Sequence, residues 1–161
     1  MADAVESDTL HVALADPEAT QRLAAAVAPL LRAGDVIALH GDLGAGKTTF
    51  ARALIRTLCG DDIDVPSPTF TLVQTYAAPD FDIWHFDLYR LKKPEDALEL
   101  DIEDALAEGV SLIEWPDRLG TWLPVDRLDV RLSYGDGETA RRATLTGHGG
   151  WARRIGPLRH G

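Results

Sequence analysis

The feature that most constrains this chain is the run Gly-Asp-Leu-Gly-Ala-Gly-Lys-Thr at residues 41–48. It is a complete G-x-x-x-x-G-K-[ST] phosphate-binding loop, in which glycines let the backbone curl and point its N–H groups at phosphate oxygens. In such a loop Lys47 reaches the β- and γ-phosphates of a nucleotide, and the Thr48 hydroxyl is a ligand of Mg²⁺. The sequence therefore predicts a nucleotide site that begins at residue 41.

The residues around the loop predict the strand and the helix that such a loop joins. Val36–Leu39 is a short apolar run, typical of a strand that is buried on both faces. After Thr48, apolar residues recur on one helical face up to Gly60, which occupies the position of a helix C-cap. We therefore predict an α/β fold, a single-domain P-loop NTPase fold with a mixed central β-sheet flanked by helices and with antiparallel hairpin strands.

Composition and charge narrow the class of protein. The 161 residues are 45% hydrophobic and 26% charged, as expected of one soluble domain with a full core. The net charge of −10 argues against a role as the main RNA-binding body, because nucleic acid repels an acidic protein. The single cysteine, Cys59, fits a reducing cytoplasm. Met1–Leu10 has no signal-peptide pattern and no apolar run is long enough to span a membrane, so we expect a cytoplasmic protein without membrane contact.

The other patterns predict further strands and helices. A helix is expected to begin with Asp16 as its N-cap and to bend or end near Ala28, because Pro29 cannot continue the hydrogen-bond ladder. Two of the predicted strands, Thr69–Tyr76 and Phe81–Tyr89, should form an antiparallel pair. We also expect strands at Leu10–Leu14 and Val110–Ile113, a helix over Pro94–Glu108, and a hairpin of Leu128–Tyr134 with Thr139–Thr146.

These elements predict one P-loop domain at residues 10–146. A disordered acidic segment at residues 1–9 is expected before it, and a C-terminal tail at residues 147–161 after it. Arginines cluster near this tail, and we interpret them as part of a solvated hairpin and a frayed end, with a docking patch or phosphate contact as the alternative. These arginines are Arg141, Arg142, Arg153, Arg154 and Arg159.

Two acids are candidates for the chemistry that a phosphate-binding loop needs beside it. Glu114 follows the apolar strand 110–113, where a Walker B acid holds the Mg²⁺ shell or orients the attacking water; the alternative is an exposed acid at a strand end. Asp87 lies on an aromatic and apolar strand, where burying an acid is costly unless it is paired. Contact with Mg²⁺, Lys47 or Thr48 would explain it, and the alternative is a salt bridge to Arg90.

Three further side chains have more than one interpretation. Thr69 precedes a strand in a proline-restricted loop and is a candidate for contact with the γ-phosphate or the metal, with Ser67 as the other donor and ordinary turn chemistry as the alternative. We interpret His85 as a satisfied structural histidine, with a site role as the alternative. Trp115 either stacks on a ligand, lines a partner surface or covers the edge of the core.

The nucleotide is predicted to be ATP, since the chain has no guanine-selecting N-K-x-D motif. Spacing does not place the base pocket; the start of the first helix, Asp16–Thr20, is our candidate for part of it.

Four segments follow one another in a characteristic order and spacing. They are Gly-Asp-Leu-Gly-Ala-Gly-Lys-Thr-Thr-Phe at 41–50, Ser-Pro-Thr-Phe-Thr-Leu-Val at 67–73 with Tyr76, His-Phe-Asp-Leu-Tyr-Arg-Leu at 85–91, and Leu-Ile-Glu-Trp-Pro at 112–116. In this order and spacing they resemble the TsaE (YjeE) family, small bacterial P-loop ATPases required for the threonylcarbamoyladenosine modification of tRNA. The resemblance extends over residues 10–146. Ala53 and Asp101 depart from it, because each stands where the family commonly has glycine.

The resemblance implies a set of site residues and partners. It matches Thr48 and Glu114 to the Mg²⁺ ligands, Asp87 to a nucleotide-site acid and Thr69 to a switch-like loop. It also implies that the protein hydrolyses ATP on the complex of TsaD, the threonylcarbamoyl transferase, with TsaB, and resets that complex between turnovers. The tRNA would be reached only through these partners. The predicted catalytic residues are Lys47, Thr69, Asp87 and Glu114, the predicted nucleotide-binding residues are Leu43, Gly44, Ala45, Gly46, Lys47, Thr48, Thr49 and Asp87, and the predicted metal ligands are Thr48 and Glu114.

Two alternative functions stay open at this point. A small-molecule P-loop kinase has a similar size, but the acidic stretch Leu91–Glu108 offers few cations to grip a second substrate. A non-hydrolysing switch would remodel a partner through nucleotide binding alone.

Overall fold

One mixed sheet of seven strands organises residues 7–160, which are the residues that the computed structural model describes, apart from the side chain of residue 160. In spatial order the strands run β1-β7-β6-β2-β5-β4-β3. The neighbours β6, β2, β5 and β4 are parallel, and the strands at both ends pair antiparallel. The strands are β1 (Ser7–Leu14), β2 (Val36–His40), β3 (Val73–Ala77), β4 (Asp82–Asp87), β5 (Val110–Glu114), β6 (Arg127–Tyr134) and β7 (Arg141–His148).

Helices cover both faces of this sheet, because its central strands are apolar on both sides. In β2, Ile37 packs into a large layer with helices α1 and α2, whereas Val36 packs into a smaller layer with α3. The predicted fold class is thereby confirmed. The helices are α1 (Pro17–Val27), α2 (Lys47–Cys59), α3 (Ile102–Glu108) and α4 (Trp151–Arg154), and 3₁₀ turns occupy Ala28–Leu30, Pro94–Leu100, Pro116–Trp122 and Gly156–His160.

Local capping chemistry sets the bounds of the first two helices. The Asp16 carboxylate accepts a hydrogen bond from the Ala19 N–H at 2.8 Å, and α1 gives way to a 3₁₀ turn at Ala28, as Pro29 predicts. Helix α2 ends at Gly60, whose N–H bonds to the Arg56 carbonyl. Both predictions from sequence are confirmed.

Two predicted elements are shorter than expected, because the backbone turns left-handed inside them. The strand expected from Thr69 begins only at Val73, since Leu72 has φ 69° and closes a turn by donating from its N–H to the Pro68 carbonyl at 2.7 Å. The helix expected over residues 94–108 is broken at Asp101, which has φ 58°. Leu98, which lies before this break, is exposed.

The ends of the described chain are more ordered than the sequence suggests. Residues 7–9, expected to be disordered, belong to β1 and pair with β7; residues 1–6 lie outside the described part. The tail expected to fray after residue 146 instead extends β7 and forms α4, which packs on β7 and β1. Trp151 and Ile155 are buried there, and Arg154 lies over the Trp151 ring and pairs with Asp35. The physical reason is the apolar area that these two side chains remove from water.

A polar cluster lies where β6 meets its neighbours. The Asp129 carboxylate accepts hydrogen bonds from His40 at 3.0 Å, Arg127 at 2.8 Å and His148 at 2.8 Å. Burial alone would raise the pKa of Asp129, but these three donors outweigh it and hold the pKa well below its usual range.

The described residues 7–160 contain no helix long and apolar enough to cross a membrane.

Candidate nucleotide-binding site

The loop between β2 and α2 is shaped by glycines at positions where a side chain does not fit. Gly41 has φ 146°, and a Cβ there would lie 2.5 Å from the Leu132 carbonyl oxygen. Gly46 has φ 112° and forms the N-cap of α2 in a left-handed conformation. The loop therefore turns sharply at the carboxyl end of the parallel strands, where ligands bind in open α/β sheets.

Lys47, the first residue of α2, points back over this loop. Its Nζ donates to the Gly41 carbonyl at 2.5 Å and to the Asp42 carbonyl at 3.1 Å, and it lies 4.2 Å from the centre of the Trp115 ring. Burial lowers the pKa of Lys47 and outweighs the opposing effect of Glu114 and the other nearby acids. The ammonium group is thus largely shielded from water, and a bound anion would stabilise its charge.

The Thr48 hydroxyl and the Glu114 carboxylate are in direct contact. The hydroxyl donates to Oε1 at 3.0 Å and to Oε2 at 3.1 Å, across the boundary between α2 and the end of β5. Glu114 is only 3% exposed, so the alternative of an exposed strand-end acid is wrong. The two predicted metal ligands are therefore in contact in the fold, although they are 66 residues apart in sequence.

Asp87 lies beside Glu114, as its direct neighbour in the parallel pairing of β4 with β5. Its carboxylate accepts from the Thr69 hydroxyl at 3.1 Å and from the Tyr89 N–H at 3.1 Å. In residues 7–160 no ion pair joins it to Arg90, which lies instead over the Phe70 ring at 4.6 Å. The buried acid is therefore partnered by the loop that the sequence singled out.

The loop before β3 is tied to the sheet through hydroxyl groups. Ser67 Oγ and Thr69 Oγ1 are 2.8 Å apart and form a hydrogen bond, and the Thr69 hydroxyl in turn donates to Asp87. Both candidate donors of this loop thus belong to one hydrogen-bonded chain. Ser67 is exposed, whereas Thr69 lines the cleft.

Trp115 is part of the cleft wall. It adopts φ 60°, which is unusual for a bulky residue, and its ring packs on Lys47 and lies 4.9 Å from the Tyr89 ring. The segment Asp16–Thr20, our candidate for the base pocket, is not part of this wall; Asp16 caps α1 and Thr20 is buried. The cleft is lined by Leu43, Gly44, Gly46, Lys47, Thr48, Thr49, Thr69, Asp87, Glu114 and Trp115.

Of the remaining predicted site residues, Ala45 is buried beneath the loop, and its N–H donates to the Asp42 carbonyl at 3.1 Å. Thr49 lies between the cleft and a second groove, which Gln21 and Arg52 also line. The sequence missed the contact of His85, which is fully buried with Nε2 2.7 Å from Glu114 Oε2. Its signal was the spacing to Asp87, which places both side chains on one face of β4.

The donor set of this cleft suits Mg²⁺. Thr48, Glu114 and Asp87 offer only oxygen atoms, which are the ligands that Mg²⁺ prefers. Within the described residues no group of three or more His, Cys, Asp and Glu side chains is placed to hold a metal ion by itself.

A strand, a glycine-rich loop and a helix, with an acid at the end of the adjacent parallel strand, define the class of P-loop NTPase folds. The comparisons with known proteins refine this class. The model of the family described as threonylcarbamoyl adenosine biosynthesis protein TsaE matches residues 14–143. The chain belongs to the TsaE family.

Individual relatives agree with this assignment. A Rickettsia conorii protein named tRNA threonylcarbamoyladenosine biosynthesis protein TsaE is 43% identical over 131 residues, which are 81% of this chain and 75% of that protein. A Bacillus subtilis protein of the same name is 37% identical and covers 83% of both chains. The crystal structure of Bacillus subtilis YdiB superposes with a TM-score of 0.76 at 28% identity, over 99% of each chain.

Proposed function

We propose that this protein binds ATP with Mg²⁺ and hydrolyses it, and that it thereby serves the threonylcarbamoyladenosine modification of tRNA. The observation that carries the proposal is the meeting of Lys47, Thr48, Asp87 and Glu114 in one cleft at the end of the phosphate-binding loop. Membership of the TsaE family supports the place of this reaction in tRNA modification. ATP is the expected nucleotide because the guanine-selecting motif is missing from the sequence.

Each of these residues has a chemical part in the proposal. Lys47, whose Nζ now donates to loop carbonyls, would donate to the β- and γ-phosphates of the nucleotide. Bound Mg²⁺ would neutralise phosphate charge and would be held by Thr48 and Glu114. Asp87 keeps the Thr69 hydroxyl at the cleft, and would thereby hold the loop before β3 close to the phosphates of a bound nucleotide.

The rim of the cleft supports the proposal that partner proteins cover it. Apolar side chains are exposed there, with Phe70 at 81% and Leu43 at 66%. Tyr89, in contact with Trp115, is also exposed. Exposed aromatic side chains that cluster around a site are typical of protein interfaces. We propose that the partner is the complex of TsaB and TsaD and that tRNA is reached only through it, in keeping with the net charge of −10.

The test is release of inorganic phosphate from ATP by the purified chain with Mg²⁺, alone and then with TsaB and TsaD. We expect release without any added acceptor, and a strong increase when the partners are present. Lys47→Ala should lose ATP binding. Glu114→Ala should keep binding and lose about 10²–10³-fold in turnover, the usual effect of removing one transition-state contact. Matched controls are Lys92→Ala and Glu103→Ala, because both side chains are exposed outside the cleft.

Three outcomes would contradict parts of the proposal. Turnover that requires a small-molecule acceptor would favour the kinase alternative. If Glu114→Ala binds ATP, fails to cleave it and still activates the partners, the protein is a non-hydrolysing switch. Hydrolysis that is indifferent to TsaB and TsaD would leave the phosphate chemistry and remove the proposed partner.

A further inference from the structure

His85 is the buried titratable side chain that the proposed chemistry does not use. It lies inside β4 with 0% of its surface exposed, and its two ring nitrogens have different surroundings. Nε2 lies 2.7 Å from Glu114 Oε2, whereas Nδ1 has no hydrogen-bond partner among the described residues. The imidazole is therefore in contact with the acid of the cleft on one side and with the apolar core on the other.

The unpaired nitrogen argues against a purely structural role. A carboxylate oxygen that carries no proton only accepts hydrogen bonds, so the contact of 2.7 Å calls for a proton on Nε2, while Nδ1 has no partner among residues 7–160. A buried ring nitrogen without a partner is costly, and an apolar side chain of similar volume would fill the same space without that cost. Within the described residues, the hydrogen-bond partner of the ring is Glu114.

The two donors to Glu114 act on it differently. The Thr48 hydroxyl is nearly equidistant from both carboxylate oxygens and therefore does not select one of them. The imidazole is rigid, is held in the sheet and contacts Oε2 alone. Oε1 is consequently the less constrained oxygen, since within residues 7–160 Thr48 is its one hydrogen-bond donor.

We propose that His85 is a positioning residue for Glu114, whose Nε2–H fixes Oε2 and leaves Oε1 to meet the metal or the attacking water. This inference rests on the proposed function, because it assigns a task to the acid of that site. His85 touches neither phosphate nor metal in this proposal and acts through Glu114. The same hydrogen bond joins β4 to β5 behind Asp87, which is the neighbour of Glu114 in the pairing.

Two conservative substitutions separate positioning from packing. A glutamine side chain places its amide nitrogen near the position of Nε2, whereas an asparagine side chain places its amide nitrogen near the position of Nδ1. His85→Gln should therefore keep the contact with Glu114, and His85→Asn should lose it. Both variants place a polar group in the same core, and asparagine also leaves more empty space there, so a purely structural role would lower the free energy of unfolding without a selective loss of Mn²⁺ affinity. Thermal unfolding of both variants verifies that they are folded.

The experiment measures Mn²⁺ affinity with a non-hydrolysable ATP analogue by electron paramagnetic resonance, and ATP turnover with TsaB and TsaD present. We expect His85→Asn to weaken Mn²⁺ binding and to lower kcat by about 10–100-fold, as for other residues that orient a metal ligand, with an unchanged KM for ATP. His85→Gln should recover most of both losses. A long-range ¹H–¹⁵N spectrum of the free wild-type protein should show the His85 ring protonated on Nε2, with a signal that shifts in Glu114→Ala.

The outcomes distinguish this inference from the function on which it rests. Wild-type protein that fails to turn over ATP, while His85→Asn loses Mn²⁺ affinity and His85→Gln keeps it, would end the proposed hydrolysis and leave the positioning role standing. Equal kcat and equal Mn²⁺ affinity in wild type and His85→Asn would overturn the positioning role. A ring that is protonated on Nδ1 and not on Nε2 would overturn it as well.

Discussion

Replacement of Trp151 by alanine should destabilise the fold severely, although the family match ends at residue 143. The Trp151 side chain is 1% exposed and packs in the larger apolar layer, against β7 and β1. A buried aromatic side chain removes about 150–250 Å² from water, worth about 4–6 kcal/mol at 25 cal/mol per Å² as an upper bound. Measured truncations of buried Phe and Trp to alanine cost about 3–5 kcal/mol. We therefore expect a loss of about 4 kcal/mol.

The assay is urea denaturation at neutral pH, followed by far-ultraviolet circular dichroism. In a separate thermal unfolding experiment, a loss of about 4 kcal/mol corresponds to a fall in Tm of about 8–16 °C for a domain of this length. Phe70→Ala is the matched control, because its ring is 81% exposed, and it should change the free energy of unfolding by less than about 1 kcal/mol. ATP binding by folded Trp151→Ala should be unchanged, since Trp151 does not line the cleft.

A loss below about 1 kcal/mol would refute the reasoning, because surface substitutions have effects of that size. It would mean that the segment after β7 is not packed on the sheet in solution. Loss of ATP binding by the folded variant would refute the separation of this segment from the cleft.

Two further predictions concern stability. Asp129→Asn should cost about 2 kcal/mol at pH 7, where the carboxylate is ionised and accepts hydrogen bonds from His40 and His148. Because folding lowers the pKa of Asp129 from its unfolded-state value near 3.8, the ionised carboxylate stabilises the fold fully above that value, and this stabilisation is lost as pH falls towards the lower folded-state pKa. The difference in the free energy of unfolding between the two proteins, measured in urea, should therefore shrink progressively below pH 3.8. Gly147→Ala should lower the free energy of unfolding in urea by about 2 kcal/mol or more, because its Cβ would meet the carbonyl group of Trp151. Gly156→Ala is the control and should be neutral, because a Cβ there has open space. Equal losses in the two variants would contradict this prediction.

The phosphate-binding loop was predictable because its determinants are consecutive. Eight residues specify the turn, the lysine and the hydroxyl, and the apolar patterns on either side specify the strand and the helix that they join. The N-cap at Asp16 and the break caused by Pro29 are local in the same sense. Such features depend on sterics and hydrogen bonds within a few residues, which a single sequence displays.

Left-handed residues and terminal segments were harder to predict. Nothing in the local sequence requires Leu72 or Asp101 to adopt positive φ, and both conformations are held by the structure around them. The burial of Trp151 likewise depends on a surface formed by β1 and β7, in which the contacting residues His11 and Thr144 are 133 residues apart in sequence. The prediction of a frayed tail was wrong because a short segment shows nothing, in its own sequence, of the distant surface on which it packs.

The sequence by itself determined that the chain carries a phosphate-binding loop in an α/β domain, because the residues responsible are neighbours along the chain. The tertiary structure decided which acids and donors meet at that loop. Asp87, Glu114 and His85 come together only because β4 lies parallel to β5 and β5 lies parallel to β2 in one register. That register follows from packing both faces of the sheet, which is a property of the whole chain and not of any segment in it.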